Sequence, residues 1–246
     1  MIKSMVSFKR HKYRAVFIDL YLVPGVKRLV VHSEWLPPVL RTAESYIVTD
    51  RELMYISKLK NLRYLQLAGL PGIITGSFLS VIAKECPKLS QLHLAYLGLT
   101  AHCIYIGQLC QAFSHFTHLQ DLRLEHAYLS IDSIFCKAAQ RCTSLQRLCV
   151  VSKNGSIDSG AVIDFVSKLP SLVVLQLFTD ATQYLCKKLQ KSLKERFESC
   201  RPALSVSIWP LFDQDTAHVM NTIPTKHLEE LTIFSSKVAQ RPHKRL

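Results

Sequence analysis

The sequence predicts an α/β solenoid, a curved horseshoe of about seven to eight strand–helix units with parallel strands on the concave face and helices on the convex face. Three observations predict it: leucines at a fixed period, a change of hydrophobic period inside each unit, and a composition able to bury a long core. The pattern L-x-x-L-x-L runs through Leu62, Leu65 and Leu67, then Leu89, Leu92 and Leu94. It recurs at Leu119, Leu122 and Leu124, at Leu145, Leu148 and Val150, and at Leu172, Leu175 and Leu177. Successive starts lie 27, 30, 26 and 27 residues apart. A further clear copy is Leu228, Leu231 and Ile233, with weaker ones at Val26, Leu29 and Val31 and around Leu204, Val206 and Ile208. A fixed period near 27 with room for a helix in each unit is the mark of a leucine-rich-repeat solenoid. One such unit cannot cover its own apolar faces, so neighbours stack into a continuous core.

The stretches between these strands change to a period near 3.6. Leu79, Ile82 and Cys86 share a helical face, as do Cys103, Ile106, Cys110 and Phe113, and Ile131, Phe135, Ala138 and Cys142. Val162, Phe165, Val166 and Leu169 repeat the spacing, and Leu185, Leu189, Leu193 and Phe197 form the longest case. Spacings of three and four residues put these side chains on one stripe of a helix. Ser130, Ser156 and Thr182 stand where N-caps are expected.

Strand geometry then selects the residues able to carry function. Alternate side chains point to opposite faces, so the leucines face the helices and the residues between them face the concave surface. The candidate partner-binding residues are Tyr64, Gln66, Gln91, His93, Asp121, Arg123, Glu125, Arg147, Gln176, Phe178, Trp209 and Phe234. The central polar ones are expected to be exposed. Phe178, Trp209 and Phe234 are the kind of aromatic anchor that dominates binding energy. Trp209 and Phe234 have an equal alternative use, closing the end of the stack.

In three units a cysteine stands at the helix end before the strand: Cys86-Pro-Lys-Leu89, Cys142-Thr-Ser-Leu145 and, with one extra residue, Cys200-Arg-Pro-Ala-Leu204. In this the chain resembles the cysteine-containing leucine-rich repeats of F-box proteins. The second cysteine or asparagine usual in such repeats is replaced, with Leu97 and Ala127 in its place. The stretch from Leu204 to Phe212 and that from Lys226 to Ala239 resemble the C-terminal end of a member of that family. The resemblance implies a substrate-recognition subunit of an SCF-type ubiquitin ligase, whose repeats hold a protein substrate while an F-box holds Skp1 and, through it, the cullin. Trp35-Leu36-Pro37-Pro38 offers an F-box-like opening, but only some 20 residues separate it from the first strong repeat. The expectation is therefore that an F-box is missing here, and that Skp1 and cullin are partners only of a longer form. The alternative is a stand-alone adaptor or inhibitor without ligase recruitment.

Composition bounds the remainder. With 48% hydrophobic residues and only 8 Gly and 10 Pro, the chain can bury a large core. Of the net charge of +13, residues 1–30 hold +6 and residues 237–246 hold +4, leaving +3 for the body. Charge gathered at two ends argues against nucleic acid as the partner of the folded part. No apolar run approaches the ~20 residues of a membrane span, and the nearest candidate for a signal segment, Ala15 to Val23, is short with Asp19 at its centre and reads as a buried segment. The eight cysteines include no C-x-x-C pair and sit in apolar patterns, which predicts reduced thiols and a cytoplasmic or nuclear location. Cys103, Cys110, His115 and His118 lack the spacing of a zinc knuckle. Phosphate-loop, dinucleotide, nucleophile-elbow and zinc-protease motifs are all missing, so neither enzyme activity nor a cofactor is expected. The Lys187, Lys188, Lys191 and Lys194 row reads as a solvated helix face.

The expected organisation is an irregular segment over 1–50 with one degenerate repeat, a repeat domain over 51–236 and a basic disordered tail over 237–246. An apolar edge near Leu29 and Val31 would favour association unless residues 1–25 fold over it.

Overall fold

The computed structural model describes residues 5–7, 25–32, 48–70, 73, 75–98, 105–126, 128–152 and 155–211. Among them the chain alternates strand and helix: β1 (Met5–Ser7), β2 (Arg28–His32), α1 (Asp50–Leu53) continuing as a 3-10 turn (Met54–Lys58), β3 (Tyr64–Ala68), α2 (Phe78–Glu85) and β4 (Gln91–Ala95). Then follow α3 (Ile106–Ala112) with a 3-10 turn (Phe113–His115), β5 (Asp121–His126), α4 (Ser133–Ala139), β6 (Arg147–Ser152), α5 (Ser159–Lys168), β7 (Val174–Thr179), α6 (Gln183–Phe197) and β8 (Ser205–Pro210). All eight strands form one parallel sheet in chain order. This is the leucine-rich-repeat α/β solenoid that the leucine period predicts. The clear copy at Leu228 and the basic tail lie outside the described residues.

Register repeats with the leucines. Leu65, Leu92, Leu122, Leu148, Leu175 and Val206 pair in succession, and so do Leu67, Leu94, Leu124, Val150, Leu177 and Ile208. From β3 to β7 these side chains are essentially buried, packed against helix residues such as Phe78, Leu109, Phe135 and Phe165. Each unit is also stitched to the one before it at the strand entrance. The Arg63 carbonyl accepts from both Ser90 and Gln91 N–H, and the Ser90, Gln120 and Gln146 carbonyls each accept the matching pair one unit later. Parallel strands thereby keep their backbone groups paired through a shared acceptor.

The first unit extends further than the leucine pattern suggests. β1 pairs with β2 through Met5, Val6 and Ser7, and Leu29 and Val31 are almost wholly buried. A strand from the first 25 residues therefore lies along the edge that the sequence left open. Its three residues are too short to show a period, which is why the pattern misses it.

The cysteine positions are explained by the turn between helix and strand. Leu59, Cys86, Phe116 and Leu169 occupy it with φ between −82 and −114° and ψ between 71 and 83°. The Leu62, Leu89, Leu145 and Leu172 N–H groups donate to the carbonyl three residues earlier. The Cys86 thiol, buried there, donates to the Ile56 carbonyl at 3.5 Å, and the Cys142 thiol to the Phe116 carbonyl at 3.5 Å. Burial pushes these thiols up to about 11 and about 12. They serve as neutral packing groups with a weak donor.

At the third such turn the expectation changes. Cys200 is exposed, its thiol lying on carbonyls of its own helix. Arg201 takes the inner position instead, and Leu204 N–H closes the turn on the Arg201 carbonyl. The Arg201 guanidinium reaches into the preceding unit, donating to the Val166 carbonyl at 2.6 Å and to the Leu172 carbonyl. The Leu172 carbonyl corresponds by repeat to that of Leu119, which the Cys142 thiol faces at 3.9 Å. The extra residue puts the longer side chain at this position.

Three further details depart from the sequence reading. The N-caps of α4 and α5 are Asp132 and Asp158, not Ser130 and Ser156; their carboxylates accept from Phe135 and Ala161 N–H, while Thr182 caps α6 as expected. The two serine side chains bond to each other across units, at 3.2 Å. In α3 the buried face is Leu109, Ala112 and Phe113, with Ile106 and Cys110 half-buried at its margin, and in α6 Cys186 is inside while Leu185 is exposed. One residue is a turn of about 100°, enough to move a side chain from the core to its edge.

Candidate protein-binding face

The concave surface consists of three rows running across the strands. The first is Arg28, Tyr64, Gln91, Asp121, Arg147, Val174 and Ser205. The second runs Val30, Gln66, His93, Arg123, Cys149, Gln176 and Ser207, and the third Ala68, Ala95, Glu125, Val151, Phe178 and Trp209. Strands about 4.8 Å apart bring each row's side chains into contact.

That contact overturns the expected exposure of the central polar residues. Tyr64, Gln66, His93, Asp121, Arg123, Glu125 and Gln176 are buried, each below 9% exposed. Long side chains on adjacent strands lie over one another and form a polar layer. The Tyr64 hydroxyl donates to the Gln66 side-chain carbonyl and lies 3.2 Å from His93 Nδ1. Asp121 stands between His93 Nε2, at 3.9 Å, and Arg147 Nε, at 3.8 Å. Arg123 Nη2 lies 3.6 Å from a Glu125 oxygen, and the Arg28 guanidinium is stacked 3.9 Å from the centre of the Tyr64 ring. Gln91 is exposed, Arg147 half-buried, and Phe178 wholly buried, so Phe178 supports the surface from beneath. Phe234 lies outside the described residues.

Charge in this layer is held by its surroundings. Burial, aided by the Arg123, Arg28 and Arg147 guanidiniums, pushes His93 down to about 3, so it is a neutral ring at ordinary pH. Burial raises the Glu125 carboxyl, against the pull of Arg123 and of a Tyr96 hydrogen bond. The depression lined by His93, Asp121, Arg147, Val174 and Gln176 has a free volume of about 10 Å³. Small-molecule pockets measure roughly 300–1,000 Å³. The face is therefore shaped for a broad contact, with room in this hollow for about one water.

Towards β8 the chemistry changes. Cys149 and Phe178 are buried under half-buried Val151, Trp209 and Leu211, an apolar cluster separate from the main core. Sequence reasoning found Trp209 here but missed Leu211, which follows the last strand.

It also missed Tyr96, the residue after β4. Tyr96 has φ of 49°, as Gly69 has φ of 61° one unit earlier, and its N–H donates to the Glu125 carbonyl. A tyrosine in this left-handed region is costly, and the bonds to Glu125 hold it there. Its ring is 41% exposed and lies 6.2 Å from that of His126. Its alignment with Gly69 is the signal that would have found it.

Cys103 lies outside the described residues, and no three metal-ligating side chains stand together among the described ones. Nor is any described helix long and apolar enough to cross a membrane.

Comparison with known proteins bears on the same stretch. The family model described as "F-box/LRR-repeat protein 18, LRR" matches residues 34–204, which takes in β3 to α6 and the polar layer apart from Arg28. The chain belongs to this F-box/LRR-repeat family. It is 42% identical to human F-box/LRR-repeat protein 18 over 207 residues, 84% of the chain. The match spans 28% of that relative's length. The F-box/LRR-repeat match thus covers the repeat units from β3 to α6 and ends before β8.

Proposed function

We propose that the concave sheet binds a protein substrate, and that the chain supplies the substrate-recognition repeats of an SCF-type ubiquitin ligase receptor acting in the cytosol or nucleus. One observation carries the reading: a family repeat sheet presents a fixed polar layer that grades into an apolar cluster with a half-buried tryptophan. Rigid side chains over a broad face suit protein recognition, and Trp209 at the β8 end supplies an aromatic anchor.

The test is affinity capture from cells with the tagged chain, its Trp209→Asp and Arg147→Glu variants, and a longer form carrying an F-box. The expected result is a protein held by the parent chain and lost with either variant, joined by Skp1 and cullin in the longer form. Capture indifferent to both variants counts against the concave face. A substrate held without Skp1 or cullin even by the longer form favours a stand-alone adaptor.

A further inference from the structure

The concave face presents its charges unequally. Its two carboxylates are turned inward, with the Asp121 and Glu125 side chains only 12% and 5% exposed. Two of its guanidiniums reach solvent: Arg28 is exposed, and the Arg147 side chain is 30% exposed. Both belong to the first row, and exposed Lys27 and Arg63 stand beside that row at the entrances of β2 and β3. A partner approaching the first row therefore meets cations while the balancing anions lie beneath them. The third row meets it with Trp209 and Val151, and no charge is accessible there among the described residues.

We infer that the segment received on this face is a stretch of protein in which acidic residues neighbour a large apolar one, its carboxylates over Arg28 and Arg147 and its apolar side chain against Trp209. The inference rests on the concave-face reading above and gives the partner its chemistry. Arg147 and Trp209 are two strands apart and four residues apart along the strands. Strand spacing and rise make that separation roughly 16 Å, or about five residues of extended chain. The sequence expected in the partner is therefore Asp or Glu about five positions from Leu, Phe or Trp. Asp and Glu are favoured over nucleic-acid phosphate because Val151 and Leu211 flank Trp209 and suit an aliphatic side chain, and because the body between the two basic ends carries a net charge of only +3, too little for a phosphate-tracking groove.

The test uses the whole chain and fluorescent peptides in which a glutamate block stands at that spacing before a leucine or, in a second set, after it, with lysine and glutamine versions and a single-stranded oligonucleotide. Anisotropy should show the glutamate peptide binding about tenfold more tightly than the glutamine one, and the lysine peptide most weakly. Arg147→Glu should erase the preference for glutamate, Arg147→Gln should reduce it, and salt should weaken it. Circular dichroism confirms that the variants fold. Equal binding of the peptides, binding by none of them, or tighter binding of the oligonucleotide overturns the inference. Should captured protein be lost with Trp209→Asp while peptide charge makes no difference, the acidic partner fails and the concave face stands. Capture indifferent to both Trp209→Asp and Arg147→Glu removes the concave face itself.

Discussion

From β3 to β7 the side chains directed at the helices are leucine or valine in every unit, whereas those on the opposite face change from strand to strand. The inward pairs run Leu65 and Leu67, Leu92 and Leu94, Leu122 and Leu124, Leu148 and Val150, Leu175 and Leu177. The concave positions beside them include tyrosine, glutamine, histidine, arginine, glutamate, cysteine and phenylalanine. Both faces are largely buried, so burial alone does not distinguish them. The inward face has one solution, because each leucine meets the same neighbours one unit earlier and one unit later. The outward face is closed by particular polar partners, and a solution built on a Tyr64–His93 contact does not transfer to the next strand. A solenoid can therefore keep its architecture while its recognition surface varies.

The sharpest way to break the comparison is to truncate one side chain on each face of adjacent strands. Leu124 is fully buried between Leu94 and Val150, so Leu124→Ala should cost about 2–5 kcal/mol. Gln91→Ala, on the exposed first row, should stay within about 0.5 kcal/mol. Urea midpoints measure both. Similar losses would mean that the concave row contributes as much to folding as the spine.

The next effect is specific to the polar layer. His93 stays neutral in the folded chain down to about pH 3, whereas in the unfolded chain it takes up a proton near pH 6.5. Above that value neither state binds the proton and the stability is complete. As the pH falls below about 6.5 the unfolded state is protonated first, so stability is lost progressively towards about pH 3. The loss is on the order of a few kcal/mol, and His93→Gln should remove it. Glu125 has the opposite sign, because its raised carboxyl favours the folded state as acid is added through the carboxylate range. An acid limb unchanged by His93→Gln would show that the ring is solvated in the folded chain.

Arg201 links the spine to this kind of particular solution. It occupies a turn that other units fill with leucine, cysteine or phenylalanine, and holds two carbonyls of the preceding unit. Arg201→Ala should cost about 2 kcal/mol by leaving those acceptors without it, and Arg201→Lys should recover only part, since one ammonium cannot fork to both. Full recovery by lysine would reduce Arg201 to a charge. Cys142→Ala at the corresponding turn should cost less, because the thiol is the weaker donor.

These contrasts explain what the sequence makes legible. Leucine spacing encodes the fold, since the same residue type recurs where the same environment recurs, and Leu62 to Leu177 state it five times. The concave positions are equally legible as positions, because strand alternation assigns them without reference to chemistry. Their burial is not, since it depends on the reach of a neighbour 26 to 30 residues away, as Tyr64 reaches His93. Arg201 was hidden because one inserted residue shifts it relative to Cys200, and β1 because three residues carry no period. Tyr96 was hidden because its meaning lies in a φ value that propensity would assign to glycine.

The smallest effect concerns the rim where strands give way to helices. Ser156 and Asp158 both precede α5, and both are residue types that cap helices well. The structure assigns the work to Asp158, whose carboxylate accepts from Ala161 N–H at 3.0 Å, while the Ser156 hydroxyl turns to Ser130 in the unit before. Asp158→Ala should therefore cost about 1 kcal/mol, with an added helix-dipole contribution that weakens in salt. Ser156→Ala removes one exposed hydroxyl contact and should cost within about 0.5 kcal/mol. The order of the two midpoints decides between them. If Ser156→Ala proves the more damaging, the unit-to-unit serine contact holds the rim together more firmly than the cap holds its helix, and neighbouring repeats are coupled there through side chains as well as through the spine.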